Sequence, residues 1–450
     1  MDDRPARRRP LTAALKTRLR SSPRMSSLYL GARGFVRGGG DARDATGRGR
    51  PAVEDGVRLL STADFTTSPS TAQRLNLVLP TVDAARTFGG IRTALDLLEA
   101  LAGDVQERRV VSVGPSGPFV SEALAAYSPV PSDQDPPDPL QIVSLGRPGA
   151  SLAVRADDIF VATFWTTADL VRRIRRWQVS TYGSAPPRFG YVIQDFEPGF
   201  YPWSAQWMLA RSTYTDPAGT SAIFNTSVLR DYFHSIGIRF ETEYTFEPRL
   251  LATLRSAISS PAVARSRTIV VYGRPGTPRN AFPAVIDGLR AWRASDANAG
   301  SWRIVSVGQA HPDIDLGGGV ALRSIGKLDI PAYASLLREA AIGVSLMISP
   351  HPSYPPLEMA HLGLLVLTNR FAAKDLSSWH SNIRSIDDVA AGSVSNALSE
   401  LCRRFEADPD VGAKGRSSRP DFTSDEPQFP FAAQLAADLR SGAARGASGG

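Results

Sequence analysis

The sequence predicts an α/β protein with two doubly wound, Rossmann-like domains that face a cleft. Short apolar runs alternate with stretches of helical periodicity along most of the chain. The runs are apolar throughout, which is typical of parallel strands buried on both faces. The alternation restarts after Ser259-Ser260-Pro261, and 450 residues are enough for two such cores.

The first domain is assigned to residues 71–260. An apolar run at 75–80, a glycine-containing loop and a helical pattern at 91–101 together open a βαβ unit. The segment 128–139 is rich in proline and aspartate and is interpreted as a loop. Further strands are predicted at 110–113, 159–163, 189–194 and 222–224, and helices at 167–177, 203–214 and 227–235.

The second domain is assigned to residues 261–395, where the same alternation returns. Residues 396–450 are predicted to form C-terminal helices and a flexible tail, with helical patterns at 389–405 and 430–440. Predicted strands of the second domain are 268–272, 302–307, 342–348 and 364–368, and predicted helices are 280–292, 330–340 and 355–362.

Residues 1–70 are predicted to be a basic, mostly disordered extension with a short helical segment at 12–20. The first 50 residues carry 13 cationic side chains against four aspartates, whereas the other 400 carry 38 against 40 acidic groups. The near-neutral body argues against nucleic acid as a partner. A solvated arm and a contact with an anionic membrane surface both remain open for the extension.

No apolar run reaches the roughly 20 residues that span a bilayer, and the N-terminus lacks the apolar segment of a secretory signal. We therefore expect a cytoplasmic protein, with peripheral contact at the inner face of the plasma membrane as an open alternative.

The absence of several sequence motifs argues against a metal site and against several classes of enzyme. One cysteine and five scattered histidines give no metal-ligand spacing, and Asp313-Ile314-Asp315 is interpreted as a turn. The chain has no P-loop, no strand-linked G-x-G-x-x-G sequence and no G-x-S-x-G sequence. We expect neither a metal nor a cofactor.

Charged residues follow the strands of the second domain, where open α/β sheets bind ligands. Gly273 and Arg274 follow one strand, Lys327 another, and the run 349–358 a third. Two cations and the free N–H groups at a helix start suit a diphosphate, and Glu358 could accept hydrogen bonds from a vicinal diol. Surface charges and a helix-dipole contact remain alternatives for these residues.

Two features of the first domain complete the candidate site. Gly89 and Gly90 precede a helix, where a backbone without side chains can approach a ligand or simply turn. Gln194, Asp195 and Glu197 follow a strand beside aromatic residues, a mixture that suits sugar rings or a structural turn with core aromatics.

These segments resemble the GT-B glycosyltransferases of family 4, in particular the bacterial rhamnosyltransferases of the WsaF type, which use dTDP-L-rhamnose. The likeness extends over about residues 74–400. It is carried by Phe88-Gly89-Gly90, Tyr191-Val192-Ile193-Gln194-Asp195-Phe196-Glu197-Pro198, Phe224-Asn225-Thr226-Ser227, Ser306-Val307-Gly308, Gly326-Lys327-Leu328 and the run 349–363.

The resemblance implies a role for each candidate residue of the donor site. Arg274 and Lys327, beside Gly273, would bind the donor diphosphate and neutralise it as it leaves, and Glu358 would bind the nucleotide ribose. Pro350 stands where the wider family often has a glutamate eight residues before Glu358. The donor pocket would be lined by Ser353, Tyr354, Pro355 and Leu357, with Gly89 and Gly90 approaching from the other domain.

Asp195, with Gln194 and Glu197, would face the acceptor or the transferred sugar, and Asp195, Arg274 and Lys327 would be the catalytic residues. The resemblance further implies a metal-independent retaining transfer, in which the leaving diphosphate accepts the acceptor's proton. The expected function is transfer of L-rhamnose from dTDP-L-rhamnose to a glycan or lipid-linked glycan acceptor. A sugar-nucleotide epimerase and a non-catalytic nucleotide, nucleic-acid or membrane binding protein remain the alternatives.

Overall fold

Two mainly parallel sheets, each covered by helices on both faces, organise the chain. The computed structural model describes residues 60–82, 89–103, 105–114, 124–183, 185–261 and 263–441. Within them the predicted α/β fold class is confirmed. Phe88, the predicted helix at 12–20 and most of the basic extension lie outside the described residues.

The N-terminal lobe is built on an eight-stranded sheet in the order β10-β9-β8-β7-β2-β3-β5-β4, in which every neighbouring pair is parallel. A separate parallel pair joins β1 and β6. The strands are β1 Asp64–Thr67, β2 Arg74–Leu79, β3 Glu107–Ser112, β4 Ser128–Pro129, β5 Leu140–Ser144, β6 Ser151–Val154, β7 Ile159–Ala162, β8 Phe189–Ile193, β9 Thr220–Asn225 and β10 Thr242–Phe246. The helices are α1 Gly89–Ala102, α2 Trp165–Tyr182, α3 Ala205–Ser212, α4 Ser227–Ser235 and α5 Ala252–Ile258, and α5 leads to the other lobe.

The C-terminal lobe is built on a seven-stranded sheet in the order β13-β14-β12-β11-β15-β16-β17, in which only β13 runs antiparallel to its neighbour. The strands are β11 Ser266–Gly273, β12 Arg303–Gly308, β13 Ile314–Gly317, β14 Val320–Gly326, β15 Ala340–Val344, β16 Leu365–Asn369 and β17 Ile383–Ile386. The helices are α6 Phe282–Ser295, α7 Ile330–Glu339, α8 Pro355–His361, α9 Ala391–Ala407 and α10 Ala432–Arg440.

Alternate residues of each central strand fill opposite cores, as the continuous apolar runs predict. In β2, Leu75, Leu77 and Leu79 pack into the cluster that includes α1, whereas Val78 packs into the cluster that includes α2. All four side chains are almost fully buried. Burial on both faces is the arrangement that parallel sheets require.

The structure departs from the predicted boundaries at both ends of the body. The strand β1 lies inside the segment predicted to be disordered and pairs with β6. At the other end, α10 returns to the N-terminal lobe, where Leu435 and Leu439 pack among the core residues of β2 and α1. The helix predicted at 430–440 is therefore present as α10, and it belongs to the core of the N-terminal lobe.

A buried ionic cluster ties together the amino-terminal ends of the N-terminal strands. Arg74 donates hydrogen bonds to both oxygens of Asp158 at 2.9 Å and pairs with Asp135 at 2.7 Å. Arg109 lies 3.5 Å from Asp158, and Arg155 donates to Asp135. Because ligands bind at the carboxyl ends of such strands, this cluster is structural. None of the helices in the described part of the chain combines the length and hydrophobicity needed to cross a bilayer.

Candidate active site

The carboxyl ends of the two sheets meet at one cleft. Asp195 follows β8 in the N-terminal lobe, and its Oδ1 accepts a hydrogen bond from the Ser349 hydroxyl of the C-terminal lobe. Tyr354 of the C-terminal lobe is hydrogen bonded to Asn225, the last residue of β9, and to Thr93 of α1. Asp195 of the N-terminal lobe and the segment that contains Ser349 and Tyr354 therefore lie on opposite walls of the same cleft.

Arg274 follows Gly273, the last residue of β11, where only glycine fits. A Cβ on Gly273 would lie 2.3 Å from Ser306 Oγ and 2.8 Å from a ring carbon of Phe282, closer than real Cβ contacts come. This close packing fixes the end of β11. The Arg274 guanidinium then donates a hydrogen bond to the Tyr272 hydroxyl, while burial raises the pKa of Tyr272.

A second arginine on the same loop was not predicted as a site residue. Arg279 Nε lies 3.7 Å from Asp195 Oδ2, and its guanidinium carbon lies 3.6 Å from the centre of the Phe200 ring. Burial lowers the pKa of Arg279, with Asp195 opposing the shift and the like charge of Arg274 adding to it. Two guanidinium groups that repel each other beside a cleft form a favourable site for a dianion.

Lys327 is exposed and directly follows β14, whose last residue, Gly326, has a left-handed backbone with φ of 70°. In the sheet, β14 is separated from β11 by β12 alone. The structure thus puts Lys327 at the same edge as Arg274, two strands away.

The loop of residues 349–354, here called the donor loop, is held by its own polar groups. The backbone N–H of His351 donates to Ser349 Oγ at 3.1 Å, and that of Ser353 donates to His351 Nδ1 at 3.0 Å. Ser353 adopts a left-handed backbone with φ of 68°. Because Nδ1 accepts and burial lowers the pKa of His351 to about 4, the neutral ring carries its proton on Nε2.

The helix that follows the donor loop offers no free backbone donors in its first turn. Pro355 and Pro356 have no N–H, and the N–H groups of Leu357 and Glu358 donate to the Tyr354 carbonyl at 3.0 and 2.9 Å. The predicted cradle of free N–H groups at this helix start is therefore wrong. Leu357 packs in the core of the C-terminal lobe at 1% exposure, so its side chain does not line the donor pocket.

Glu358 lies partly exposed, one turn into α8. Its Oε2 accepts a hydrogen bond from the Tyr333 hydroxyl at 3.1 Å. Burial raises the pKa of Glu358 to about 7, and the Tyr333 hydrogen bond opposes that shift. A carboxyl group that titrates near neutrality can accept hydrogen bonds from hydroxyl groups more strongly once it is ionised.

Gly90 packs so closely against the end of β8 that only glycine fits at this position. Gln194 Nε2 donates to the Gly90 carbonyl at 3.1 Å, and a Cβ on Gly90 would lie 2.1 Å from Gln194 Oε1. Gly89 begins α1 immediately before it. The structure therefore brings the predicted glycines next to Gln194 and Asp195, at the wall of the cleft.

Glu197 turns away from the cleft into the N-terminal lobe. It begins a 3₁₀ turn, is 1% exposed and accepts a hydrogen bond from the Tyr191 hydroxyl at 3.0 Å. Burial raises the pKa of Glu197 to about 8. Its placement gives Glu197 a structural role beneath Asp195 and contradicts the predicted contact with an acceptor.

A buried lysine beside the donor loop also escaped prediction. Lys374 is 1% exposed, and its Nζ donates to the Met347 carbonyl at 2.6 Å. Burial lowers the pKa of Lys374 to about 7, and the charge of Asp195 opposes this shift. A lysine in an Ala-Ala-Lys-Asp turn is expected at the surface, so the local sequence does not predict that Lys374 is buried.

Among the described residues, no group of three or more histidine, cysteine, aspartate or glutamate side chains converges on a metal position. Asp313 accepts a hydrogen bond from the Ser324 backbone N–H, and Asp315 accepts one from that of Gly317. Asp313 directly precedes the edge strand β13 and Asp315 lies within it, so the prediction that this D-x-D sequence is a turn is wrong.

Comparison with known proteins relates this cleft to a family. Residues 74–227 match the family described as "WsaF, N-terminal domain", and residues 267–399 match "WsaF, C-terminal domain". The O-antigen biosynthesis protein RfbC of Myxococcus xanthus is 34% identical over 226 residues. That alignment covers 50% of this chain and 16% of the relative, so the chain spans a small part of that protein's length.

Solved structures share the two-lobed fold at low sequence identity. Sucrose-phosphate synthase from Thermosynechococcus elongatus superposes with a TM-score of 0.51 at 14% identity, over 82% of this chain and 98% of its own. The α,α-trehalose 6-phosphate synthase from Burkholderia multivorans gives 0.51 at 9% identity, over the same 82% and 98%. Both WsaF domains match in order, together cover more than half of the chain and coincide with the two GT-B lobes, so the chain belongs to the WsaF-like family of GT-B glycosyltransferases.

Proposed function

We propose that this protein is a retaining glycosyltransferase of polysaccharide biosynthesis that transfers L-rhamnose from dTDP-L-rhamnose to a glycan or lipid-linked glycan acceptor. The observation that carries the proposal is the approach of Arg279 to Asp195 across one cleft, with Arg274 close enough to act on Arg279 and, together with Glu358, on Tyr272. Membership of the WsaF-like family supports transferase chemistry. The dTDP-L-rhamnose donor is what the resemblance to the WsaF-type rhamnosyltransferases implies. The name of the RfbC relative supports a role in polysaccharide synthesis.

The donor diphosphate would be held mainly by side chains. The first turn of α8 has no free N–H groups, so Arg274, Arg279 and Lys327 must supply most of the positive charge. Arginine forks suit the planar oxygens of a phosphate, and lysine adds a point charge. Deoxyribose keeps only its 3′-hydroxyl in this region, and Glu358 would accept a hydrogen bond from it.

The proposed transfer breaks the bond between the anomeric carbon and the diphosphate oxygen. An acceptor hydroxyl oxygen forms the new bond on the same face, and its proton passes to the departing diphosphate oxygen. The protein contributes positioning and charge stabilisation, because the arginines neutralise the charge that grows on that oxygen. Asp195 would position the acceptor once donor binding has released its present contacts with Ser349 and Arg279.

Calorimetric titration of the purified protein with dTDP, UDP, GDP and ADP, without added metal, tests the donor. We expect dTDP to bind most tightly, after which dTDP-L-rhamnose would be offered with acceptors and the anomeric configuration of the product read by NMR. Preference for UDP or GDP would still agree with glycosyltransferase activity but would contradict dTDP-L-rhamnose as the donor. Absence of binding to all four, or consumption of the sugar nucleotide without an acceptor, would contradict the proposal.

We further propose a cytoplasmic location, with the basic extension touching the inner leaflet of the membrane where lipid-linked acceptors lie. Thirteen cations in the first 50 residues support an electrostatic contact with anionic lipids. Co-sedimentation with phosphatidylglycerol vesicles should fall when residues 1–50 are deleted. Equal co-sedimentation of the full and shortened chains would refute this contact.

A further inference from the structure

Two tryptophans, the exposed Trp203 and the half-buried Trp207, form an aromatic surface at the start of α3. This tryptophan pair has ring centres 4.6 Å apart with an interplanar angle of 37°. Trp203 is 85% exposed, the largest exposure among the large hydrophobic residues of the described chain. Because this indole adds little to the core, core packing does not explain why a tryptophan stands at this position.

Hydrogen bonds and ring contacts hold the segment that carries the tryptophan pair. Ser204 caps α3 by accepting a hydrogen bond from the Trp207 backbone N–H at 3.2 Å. Just before it, the Tyr201 hydroxyl accepts a hydrogen bond from Trp165 Nε1 at 2.9 Å, and the Phe200 ring stacks on Phe164. The segment is therefore fixed on both sides of Trp203.

The pair also lies close to the cleft. Phe200 packs beneath Arg279, which in turn approaches Asp195. Trp203 follows Phe200 by three residues, so the two Cα atoms are at most about 11 Å apart. The aromatic surface thus lies beside the wall of the cleft to which we assign the acceptor.

The segment carries few charges that would select an ionic partner, and the single ionisable residue of α3 is Arg211 in its last turn. Residues 198–210 contain no aspartate, glutamate, lysine or arginine. Segments that bind anionic membrane surfaces are normally rich in lysine and arginine beside their aromatic residues. Neutral sugar rings instead present an apolar face that stacks on indole and hydroxyl edges that remain hydrated.

We infer that the tryptophan pair binds sugar rings of the acceptor glycan that lie beyond the residue being glycosylated. The inference rests on the proposed glycosyl transfer and adds to it a secondary acceptor subsite. It assigns the occupant as a neutral oligosaccharide, held by stacking rather than by ion pairs. Longer acceptors should therefore bind better than single sugars, while the nucleotide site is unaffected.

The test compares the full-length protein with Trp203→Ala, with Trp203→Ala/Trp207→Ala and with the conservative Trp203→Phe. Met208→Ala is the matched control, because Met208 lies on the same helix at 63% exposure but has no ring. Neutral hexasaccharides of rhamnose, mannose and glucose, and the corresponding monosaccharides, are titrated by NMR saturation transfer and calorimetry. Titration with dTDP and thermal unfolding accompany every variant.

We expect at least one hexasaccharide to bind the parent protein about ten-fold more tightly than its monosaccharide. The double variant should lose that advantage, Trp203→Phe should retain part of it, and Met208→Ala should retain all of it. Affinity for dTDP should stay the same throughout, so a failure of the donor proposal would show separately as absent dTDP binding. With an active acceptor, the KM for the acceptor should rise in the double variant while kcat holds.

Three results would overturn the inference. The first is no hexasaccharide binding by the parent protein, and the second is equal hexasaccharide affinity in the parent and the double variant. The third is loss of binding to phosphatidylglycerol vesicles in the double variant with unchanged oligosaccharide affinity, which would identify a lipid surface instead.

Discussion

At the scale of single residues, burial pushes three ionisable groups in the cleft or beneath its wall toward their neutral forms. Burial raises the pKa of Glu197 to about 8 and that of Glu358 to about 7, and lowers that of Lys374 to about 7. Strongly shifted groups concentrate at functional sites because a site needs both burial and polar chemistry. Here they separate into a structural carboxyl, Glu197, and a carboxyl that faces the proposed donor, Glu358.

Glu197 should make stability fall as the pH rises toward 8. The unfolded chain loses this proton near its ordinary pKa of 4.5, whereas the folded protein keeps it until about 8, so unfolding releases a proton in between. The resulting loss is on the order of 1 kcal/mol per pH unit at most. Urea unfolding of the parent and Glu197→Gln across this range should show a shallower decline in the variant.

Glu426→Gln, which changes an exposed carboxylate, is the control for that experiment and should leave the pH dependence as in the parent. Identical slopes in the parent and in Glu197→Gln would mean that the buried carboxyl does not hold its proton in the folded state.

Glu358 should make donor affinity rise with pH around neutrality. Its pKa of about 7 means that it is mostly protonated near pH 6 and mostly ionised near pH 8. The ionised form accepts the nucleoside hydroxyl more strongly, so dTDP should bind up to about ten-fold more tightly at the higher pH. Glu358→Gln cannot ionise and should show only the weaker dependence that comes from the diphosphate itself. The same dependence in both proteins would remove Glu358 from the nucleotide site.

At the scale of elements, the central apolar strands were predictable, whereas polar strands and the short apolar strand β6, Ser151–Val154, were not predicted. The central strands β2, β8 and β11 have continuous apolar runs, and they were predicted within a few residues of their bounds. The strand β10, Thr242–Phe246, carries a glutamate and two threonines, and β14 carries an arginine. The strand β10 lies at an edge of its sheet and was not predicted. The strand β14 was predicted only by its end, directly before Lys327.

The ends of the N-terminal strands depend on the buried ionic cluster. Removing Asp158 leaves Arg109 buried without its paired carboxylate and Arg74 with Asp135 alone, so Asp158→Ala should lower the free energy of unfolding by about 3–5 kcal/mol. Asp158→Asn, which keeps the shape and part of the hydrogen bonding, should cost less. Urea unfolding measures both changes.

An exposed ion pair provides the comparison for the ionic cluster. Lys414 lies 2.6 Å from Asp408 at the surface, and Lys414→Ala should change stability by less than about 1 kcal/mol. Because the cluster lies at the amino ends of the strands, folded Asp158→Asn should bind dTDP as the parent does. A loss below about 1 kcal/mol in Asp158→Ala would show that the cluster is hydrated.

At the scale of the whole molecule, the candidate site depends on contacts between residues far apart in sequence. Arg274, Lys327 and Glu358 were recognisable because each follows a strand or begins a helix in the second βαβ series. Arg279 and Lys374 were not, since their significance lies in reaching Asp195, 84 and 179 positions earlier in the chain. Glu197 was misjudged for a different reason, because its partner Tyr191 is only six positions earlier but the sequence does not show that the turn after β8 directs this carboxyl into the lobe.

Asp195 joins the two lobes, and this suggests how the free and donor-bound states differ. Its carboxylate accepts from Ser349 and approaches Arg279, the cation that we assign to the donor diphosphate. Donor and Asp195 therefore compete for Arg279. Asp195→Ala should widen the cleft of the free protein, raising its radius of gyration in solution scattering, because two contacts across the cleft are lost together.

The same change should leave dTDP affinity unchanged or raise it by up to about three-fold, because Arg279 no longer has a competing carboxylate. Arg279→Ala, in contrast, should weaken dTDP binding by at least about ten-fold, since a charged hydrogen bond is lost. Ser349→Ala is the control that removes the hydrogen bond but keeps the charge, and its effect on the radius of gyration should be smaller. If Asp195→Ala left that radius unchanged and weakened dTDP binding ten-fold, Asp195 would belong to the donor site itself and not to the contact that donor binding must break.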